Sequence, residues 1–268
     1  MTAALTVFTD PAAAGAALAS EIADGISAAS ANGRRYLLGC PGGRSPRPVY
    51  RALAAEVARR RLEISGVVIV MMDDYVVPDR GSYRRVRADE HYSCENFALN
   101  EIVAPLNAAS ATGPIGPDRV WLPDPRDPAA YDDRLRTAGG INLFILASGQ
   151  SDGHVAFNPP GTPEDSLTRV VRLADSTRRD NLGTFPGFRS IDEVPRYGVT
   201  VGIATIAGQS ARSVLIATGQ AKRLAVSRVA TASSYESDWP ATVVAACRGA
   251  AIYADQAAVA LPEAMKSV

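Results

Sequence analysis

Short apolar runs recur along the chain, and each is followed at once by a polar or glycine-rich segment. Arg35–Cys40, Gly66–Met72, Ile141–Ala147 and Ser213–Ala217 have the length of strands, and Gly66–Met72 is apolar almost throughout, as in a strand covered on both faces. Segments of helical composition lie between them. This alternation predicts an α/β fold: a single Rossmann-like domain with a mostly parallel sheet and helices on both faces.

Local signals predict further elements. Asp10-Pro11 and Ser45-Pro46 each place a capping residue before a proline, which indicates helices to about Ala31 and Arg60. Residues 76–90 and 105–127 read as polar or loop-like, and residues 162–189 as an irregular lid over a site. The remaining predicted elements are helices near Ser93–Val103, Ala129–Arg136, after Ala221 and after Pro240, and strands near Gly198–Ile203 and Ala250–Tyr253.

Length and composition limit the classes of protein. The 268 residues fit one domain, 1–268, and the 28 basic and 28 acidic residues balance, which argues against a nucleic-acid partner. No apolar run is long enough to span a membrane, and the first residues do not resemble a signal peptide. The three cysteines form neither a disulfide framework nor a zinc signature. We expect a soluble, cytoplasmic protein without a metal, and the sequence leaves homo-oligomerisation open.

The segments that follow the predicted strands carry the chemistry. They are Pro41–Ser45, Asp73-Asp74, Ser151–His154 and Thr218–Lys222. Ligands of open parallel sheets bind beyond the carboxyl ends of the strands, so these segments should meet around one site.

Two of these segments suit a phosphate. The loop Pro41, Gly42, Gly43, Arg44 and Ser45 precedes a helix start, where backbone N–H groups and the helix dipole attract anions, although a plain strand–loop–helix turn would have the same composition. Only Lys222 and Lys266 are lysines in a chain otherwise rich in arginine. A lysine kept within a motif suggests that its compact ammonium is needed.

The other two segments suit acid–base chemistry. Asp73 follows a buried strand, where partial desolvation would make it a base, or it caps a loop. Asp152 lies two residues before His154, across a glycine, and can orient the imidazole and stabilise its charged form; a buried, merely satisfied histidine is the alternative. His91, the second histidine, reads as a surface or helix-start residue.

Five segments together resemble the glucosamine-6-phosphate deaminase (isomerase) family, whose fold is shared with 6-phosphogluconolactonases. The similarity runs in the family's order from about residue 35 to 255, and the DGHVAFN run is its most specific part, since lactonases more usually continue DGH with Ala-Ser-Leu. The matching segments are Leu38–Pro46, Met72–Val76, Asp152–Asn158, Pro195–Gly202 and Gly219–Lys222.

The resemblance implies a role for each segment, without a metal or organic cofactor. Asp73 matches the base that moves a proton between C2 and C1 of the opened sugar. His154, oriented by Asp152, matches the acid/base that opens the pyranose ring. The Pro41–Ser45 loop and Lys222 match the phosphate cradle.

This chain departs from the family pattern at the ring-opening group. Pro159 stands where the family has a glutamate that completes this group with the aspartate and histidine. We therefore expect either a substitute carboxylate, with Glu164 on the lid the nearest in sequence, or a changed substrate.

A second departure concerns the phosphate. Gly183 aligns with the family's phosphate-contacting lid arginine, so we expect another lid arginine to replace it, while Arg44 adds a charge at a loop position usually held by a small residue. The candidate replacements are Arg178, Arg179 and Arg189.

The resemblance therefore implies an enzyme of amino-sugar metabolism, a hydrolase or isomerase that couples aldose–ketose isomerisation to deamination of a sugar phosphate. The alternatives are a 6-phosphogluconolactonase-type hydrolase, in which His154 would activate water, and a related isomerase with a changed substrate. A non-catalytic sugar-phosphate sensor is disfavoured, because the chain has no basic helix for a DNA-binding module.

Overall fold

The computed structural model describes residues 2–259, and the strands in this part of the chain form two sheets. The strands are β1 (Ala4–Phe8), β2 (Tyr36–Cys40), β3 (Val67–Met71), β4 (Asp73–Asp79), β5 (Ser82–Arg85), β6 (Val120–Trp121), β7 (Leu143–Leu146), β8 (Arg169–Arg172), β9 (Tyr197–Thr200), β10 (Ser213–Ala217) and β11 (Ala251–Asp255). The α-helices are α1 (Pro11–Ala31), α2 (Arg47–Arg60), α3 (Cys94–Phe97), α4 (Ala104–Ala109), α5 (Ala129–Thr137), α6 (Asp175–Thr184), α7 (Ile203–Gln209), α8 (Arg223–Thr231) and α9 (Gln256–Val259). A π-helical segment (Ala98–Val103) joins α3 to α4, and 3-10 helices lie at Pro117–Arg119, Ile191–Glu193, Gln220–Lys222 and Pro240–Ala246.

The larger sheet is parallel throughout its seven strands, in the order β1-β11-β10-β7-β2-β3-β6. The chain winds outward in one direction from β2 and in the other from β7, so the strand order reverses between these two neighbours. The predicted fold class is confirmed, and the reversal marks the place where such sheets bind ligands.

Helices cover both faces of this sheet because successive strand residues point to opposite sides. In β3, Ile69 and Met71 pack into a cluster with α1 and α2, whereas Val68 and Val70 pack into a second cluster with α5, α7 and α8. All five residues of β3 are buried, as expected for a strand covered on both sides.

The smaller sheet was not predicted. It is antiparallel, in the order β5-β4-β9-β8, and it includes residues that read as a polar stretch in the sequence. The β4–β5 turn places Arg80 at φ 48° and Gly81 at φ 83°, the pattern of a type I′ hairpin turn. Arginine instead of asparagine or aspartate before the glycine hides this signal.

Other predictions need correction. Residues 162–189 are irregular only in part, since they contain β8 and α6. Strand β9 pairs within the small sheet instead of the parallel one. β1 was missed because it is an edge strand that is mostly exposed, so it lacks a continuous apolar run. The helix predicted from Ser45 begins at Arg47, without a side-chain cap.

Two further segments also differ. The 105–127 stretch contains most of α4 and the short strand β6, and the helix after Pro240 is 3-10. Within residues 2–259, no helix is both long and apolar enough to cross a membrane.

We predict that Gly39 in β2 is required for packing of the sheet. A Cβ at this position would lie 2.1 Å from the ring of Phe144 on β7, so Gly39→Ala should lower the free energy of unfolding by about 1–3 kcal/mol. Urea denaturation measures the change. Gly208→Ala is the control, because a Cβ there meets no atom within 4 Å and alanine favours helix. Equal stability of the Gly39→Ala variant and wild type would contradict the packing.

Candidate active site

A cavity of about 350 Å³ lies at the carboxyl ends of β2, β3, β7 and β10. Its walls come from the loops that follow these strands and from α6, which lies in the predicted lid segment. The cavity therefore sits beside the β7–β2 reversal, where the fold places ligand sites.

Asp73 reaches the cavity because the chain changes sheets at this point. The carbonyl of Met72 accepts a hydrogen bond from the backbone N of Val201 at 2.8 Å, and Asp73 then pairs with Thr200 in the small sheet. The Asp73 side chain lines the cavity, although the residue is only 6% exposed. Asp73 thus follows β3 as predicted, and the alternative that it caps a loop is wrong, because it begins β4.

Burial raises the pKa of Asp73 to about 7. The thiol of Cys94 donates a hydrogen bond to Asp73 Oδ1 at 3.3 Å and lowers this pKa, the negative charge of Asp74 raises it, and His154 lowers it. A carboxylate with a pKa near neutrality can both accept and return a proton at physiological pH.

Asp74 has a structural task. Its Oδ1 accepts hydrogen bonds from the backbone N–H groups of Tyr75 (2.8 Å) and Cys94 (2.9 Å), so it fixes the start of α3 beside β4. Cys94 therefore bonds both aspartates, and its burial raises the pKa of its thiol well above the ordinary value, which keeps it a protonated donor. Sequence reasoning missed this cysteine because nothing in its local pattern points to Asp73.

Asp152 and His154 form the predicted pair. Asp152 Oδ1 lies 2.7 Å from His154 Nδ1 and also accepts from the backbone N of His154 at 3.1 Å. Glycines make room for the pair: a Cβ on Gly149 would meet the imidazole at 2.2 Å, and Gly153, at φ 66°, faces the ring of Trp239. With Nδ1 held by Asp152, the rest of the ring borders the cavity.

Helix α6, in the segment predicted to be a lid, is hydrogen-bonded to this pair. Ser176 and Thr177 both donate to Asp152 Oδ2, and the Thr177 hydroxyl lies 3.2 Å from His154 Nδ1. Burial alone would raise the pKa of Asp152, but the hydrogen bond and charge of His154, with the Ser176 hydroxyl, hold it well below its usual range. Asp152 therefore stays ionised beside the imidazole.

Positive charge and backbone donors gather at another part of the cavity. Lys222 donates from Nζ to the carbonyl of Ser148 at 2.5 Å, and both burial and the nearby Arg44 guanidinium lower its pKa. Among residues 2–259, no acceptor binds the backbone N–H groups of residues 42–45. The predicted loop and Lys222 thus line one cavity with the acid–base residues.

The four predicted lid contacts do not line the cavity, and one of them, Arg179, is exposed on α6. Glu164 is exposed and does not line the cavity. Arg178 is buried and donates to the carbonyls of Ile191 (2.6 Å) and Val194 (3.1 Å), and Arg189 is exposed and paired with Glu193. Arg178 and Arg189 therefore bond within residues 175–194 instead of facing the cavity.

The structure also places Asp180, which sequence reasoning did not single out, at the cavity. One carboxylate oxygen of Asp180, a ring nitrogen of His154 and an oxygen of Asp152 lie within 4.8 Å of one another. Within the described residues, only this group has spacing suited to a metal ion. Both oxygens of Asp152 are already engaged by His154, Ser176 and Thr177, so its free ligand capacity is small.

Fold and site together define an α/β protein in which titratable side chains and a loop with free backbone N–H groups line one pocket. The family described as glucosamine-6-phosphate isomerases/6-phosphogluconolactonase matches residues 9–253, and this chain belongs to that family.

Known proteins agree with this assignment. Glucosamine-6-phosphate deaminase from Beutenbergia cavernae is 33% identical over 84% of this chain and 81% of its own length, and that from Arthrobacter sp. is 36% identical over 76% and 73%. A solved monomeric glucosamine-6-phosphate deaminase has a TM-score of 0.82 at 24% identity, covering 97% of this chain and all of its own. A 6-phosphogluconolactonase from Shewanella baltica shares the fold at a TM-score of 0.66 and 17% identity, over 94% and 97%.

Asp73 should make stability depend on pH in an unusual direction. Its pKa is raised on folding from 3.8 to about 7, so between these values the folded state binds more protons, and the free energy of unfolding falls as pH rises. Asparagine imitates the protonated carboxyl. We therefore expect Asp73→Asn to be more stable than wild type at pH 8, by up to about 4 kcal/mol, with little gain at pH 4.

Urea denaturation of wild type and Asp73→Asn at pH 4 and pH 8 measures this difference. Asp133→Asn, a change at an exposed aspartate paired only with Arg136, controls for loss of charge. A stability difference that is the same at both pH values would contradict the buried-acid account of Asp73.

Proposed function

We propose that this protein is a glucosamine-6-phosphate deaminase, which converts the amino-sugar phosphate and water into a ketose phosphate and ammonia. The observation that carries the proposal is the buried carboxyl of Asp73, with a pKa of about 7, in one cavity with Lys222 and with His154, whose Nδ1 is held by Asp152. The names of relatives at 33% and 36% identity support the same substrate. Three free cysteines fit a cytoplasmic location.

Ring opening is assigned to His154. Its protonated ring gives a proton to the pyranose ring oxygen, the bond from C1 to that oxygen breaks, and the electron pair stays on the oxygen. The C1 hydroxyl loses its proton to water and becomes the aldehyde. Asp152 stabilises the imidazolium that this step requires and holds Nδ1, so the ring keeps one orientation.

Isomerisation is assigned to Asp73. The carboxylate takes the proton from C2 of the open-chain aldehyde, the C2–H electron pair forms the C1–C2 double bond, and O1 accepts a proton from water to give an enolamine. C1 then receives a proton from the same carboxyl group, the nitrogen lone pair forms the C2–N double bond, and the nitrogen loses a proton to water. The resulting imine is hydrolysed by water to the ketose while ammonia leaves. A base with a pKa near 7 suits this two-way transfer, because neither protonation state is strongly favoured at neutral pH.

The phosphate is assigned to the Pro41–Ser45 loop with Arg44 and Lys222. Lys222 carries an ammonium group that is partly desolvated. The guanidinium of Arg44 extends to Gly183 on α6, since a Cβ on Gly183 would lie 3.7 Å from it. Arg44 thereby supplies from the loop the charge that Gly183 does not supply from the lid. Unpaired loop N–H groups add further donors for an anion.

A panel of substrates tests the proposal. Glucosamine 6-phosphate, glucose 6-phosphate and 6-phosphogluconolactone are each assayed for release of ammonia, ketose phosphate and acid. We expect ammonia and ketose in equal amounts from glucosamine 6-phosphate alone. Acid release from the lactone alone would instead support the second candidate, a 6-phosphogluconolactonase, which the replacement of the family glutamate by Pro159 favours.

We predict that Asp73→Asn lowers kcat for glucosamine 6-phosphate on the order of 10²- to 10⁴-fold with little change in KM. The amide cannot accept the C2 proton but keeps the shape of the site. Steady-state kinetics with ammonia detection measure both constants. Full activity of this variant would remove Asp73 from the mechanism.

We predict that Lys222→Ala and Arg44→Gln each raise KM at least about tenfold, since a charge facing a phosphate contributes roughly 1.5–3 kcal/mol and 1.4 kcal/mol is one decade. The control is Arg47→Gln. Arg47 lies just beyond the loop, pairs with Glu101 and does not line the cavity. An equal KM for glucosamine and its 6-phosphate in wild type would contradict the phosphate assignment.

A further inference from the structure

The lid helix carries a carboxylate that nothing else in the fold uses. Asp180 lies one helical turn beyond Ser176 and Thr177, on the same face of α6, so the hydrogen bonds that bring these hydroxyls to Asp152 also bring Asp180 to the cavity. Among residues 2–259, no side-chain or backbone donor bonds its carboxylate, and no ion pair includes it. The carboxylate is half-buried and faces the cavity.

The charges around His154 indicate how this carboxylate interacts with the ring. Asp152 and Asp180 approach within 4.8 Å of each other and of a ring nitrogen, and two like charges this close are unfavourable unless a positive charge lies beside both. A protonated imidazole supplies that charge. Asp73, on β4, also interacts electrostatically with the ring, and Lys222 interacts electrostatically with both Asp152 and Asp180.

We propose that Asp180 is a positioning residue for His154: it supplies the second carboxylate that stabilises the protonated ring, from α6 instead of from position 159. This rests on the proposed function in so far as the protonated ring is the acid that opens the sugar. Asp180, and not the expected Glu164, then takes the place of the family glutamate. It is distant from Pro159 in sequence but lies next to His154 in the fold. Because Asp180 belongs to α6, the hydrogen bonds from Ser176 and Thr177 to Asp152 hold it beside the ring.

The first test measures protonation of the ring without a substrate. Nitrogen-15 spectra of the two histidines distinguish the neutral and charged rings, and a His91→Gln variant identifies the His154 signals. At neutral pH we expect the ratio of charged to neutral His154 in Asp180→Asn to be lower than in wild type by about three- to tenfold. An unchanged ratio would overturn the inference.

The second test measures the pH–rate profile of glucosamine 6-phosphate turnover. In Asp180→Asn the alkaline limb of kcat should move to lower pH, so activity at neutral pH falls about three- to tenfold while activity at lower pH is kept. Asp180→Glu should restore the wild-type profile. A rise in KM with an unchanged pH–rate profile would overturn the inference. It would indicate instead that Asp180 orients Lys222 for phosphate binding.

Asp175→Asn is the matched control. It removes a charge from the same helix, but Asp175 is exposed and pairs with Arg178 away from the cavity. If it lowers ring protonation as much as Asp180→Asn, the effect comes from loosening of α6 and the inference fails. The two proposals separate in the results: a wild type without ammonia release contradicts the deaminase function, whereas ring protonation reports on Asp180 in either case.

Discussion

The hydrogen bond of 2.7 Å between Asp152 and His154 is the interaction on which the rest of the site depends. It fixes the imidazole, it keeps Asp152 ionised, and the second oxygen of Asp152 anchors the lid helix through Ser176 and Thr177. The same contact therefore organises the acid–base group and closes one wall of the cavity. Glycine at positions 149 and 153 is the steric condition for it, because any side chain there would overlap the ring of His154 or of Trp239.

The second constraint is the change of sheet after β3. A parallel strand covered on both faces must end in a segment whose backbone groups find new partners, and here Met72 bonds Val201 while β4 pairs with β9. This arrangement buries Asp73 at the edge of the cavity, where its carboxylate can be uncharged at neutral pH. Burial of Asp73 thus costs stability above pH 7, and its raised pKa suits the base proposed for this position.

The sequence was sufficient for the parallel sheet and for the pair Asp152–His154, because these depend on apolar periodicity and on residues two apart. It was insufficient for β4, whose hairpin turn uses Arg80 at positive φ, and for α6, whose buried face consists of Thr177 and Arg178 and so has no apolar period. Asp180 and Cys94 escaped notice for a related reason. Cys94 bonds Asp73 and Asp180 lies within 4.8 Å of a His154 ring nitrogen, and only the folded structure brings such remote residues together.

The central claim is that Asp73 moves a proton between C2 and C1 of an amino-sugar phosphate. The most direct measurement is turnover of glucosamine 6-phosphate by wild type in deuterium oxide, followed by NMR of the ketose phosphate. Because the carboxyl proton of Asp73 can exchange with solvent between the two transfers, the account predicts deuterium at C1 of the product together with one ammonia per ketose, and loss of this product in Asp73→Asn. Deuterated ketose formed equally fast by Asp73→Asn, or no ketose from wild type, would contradict it.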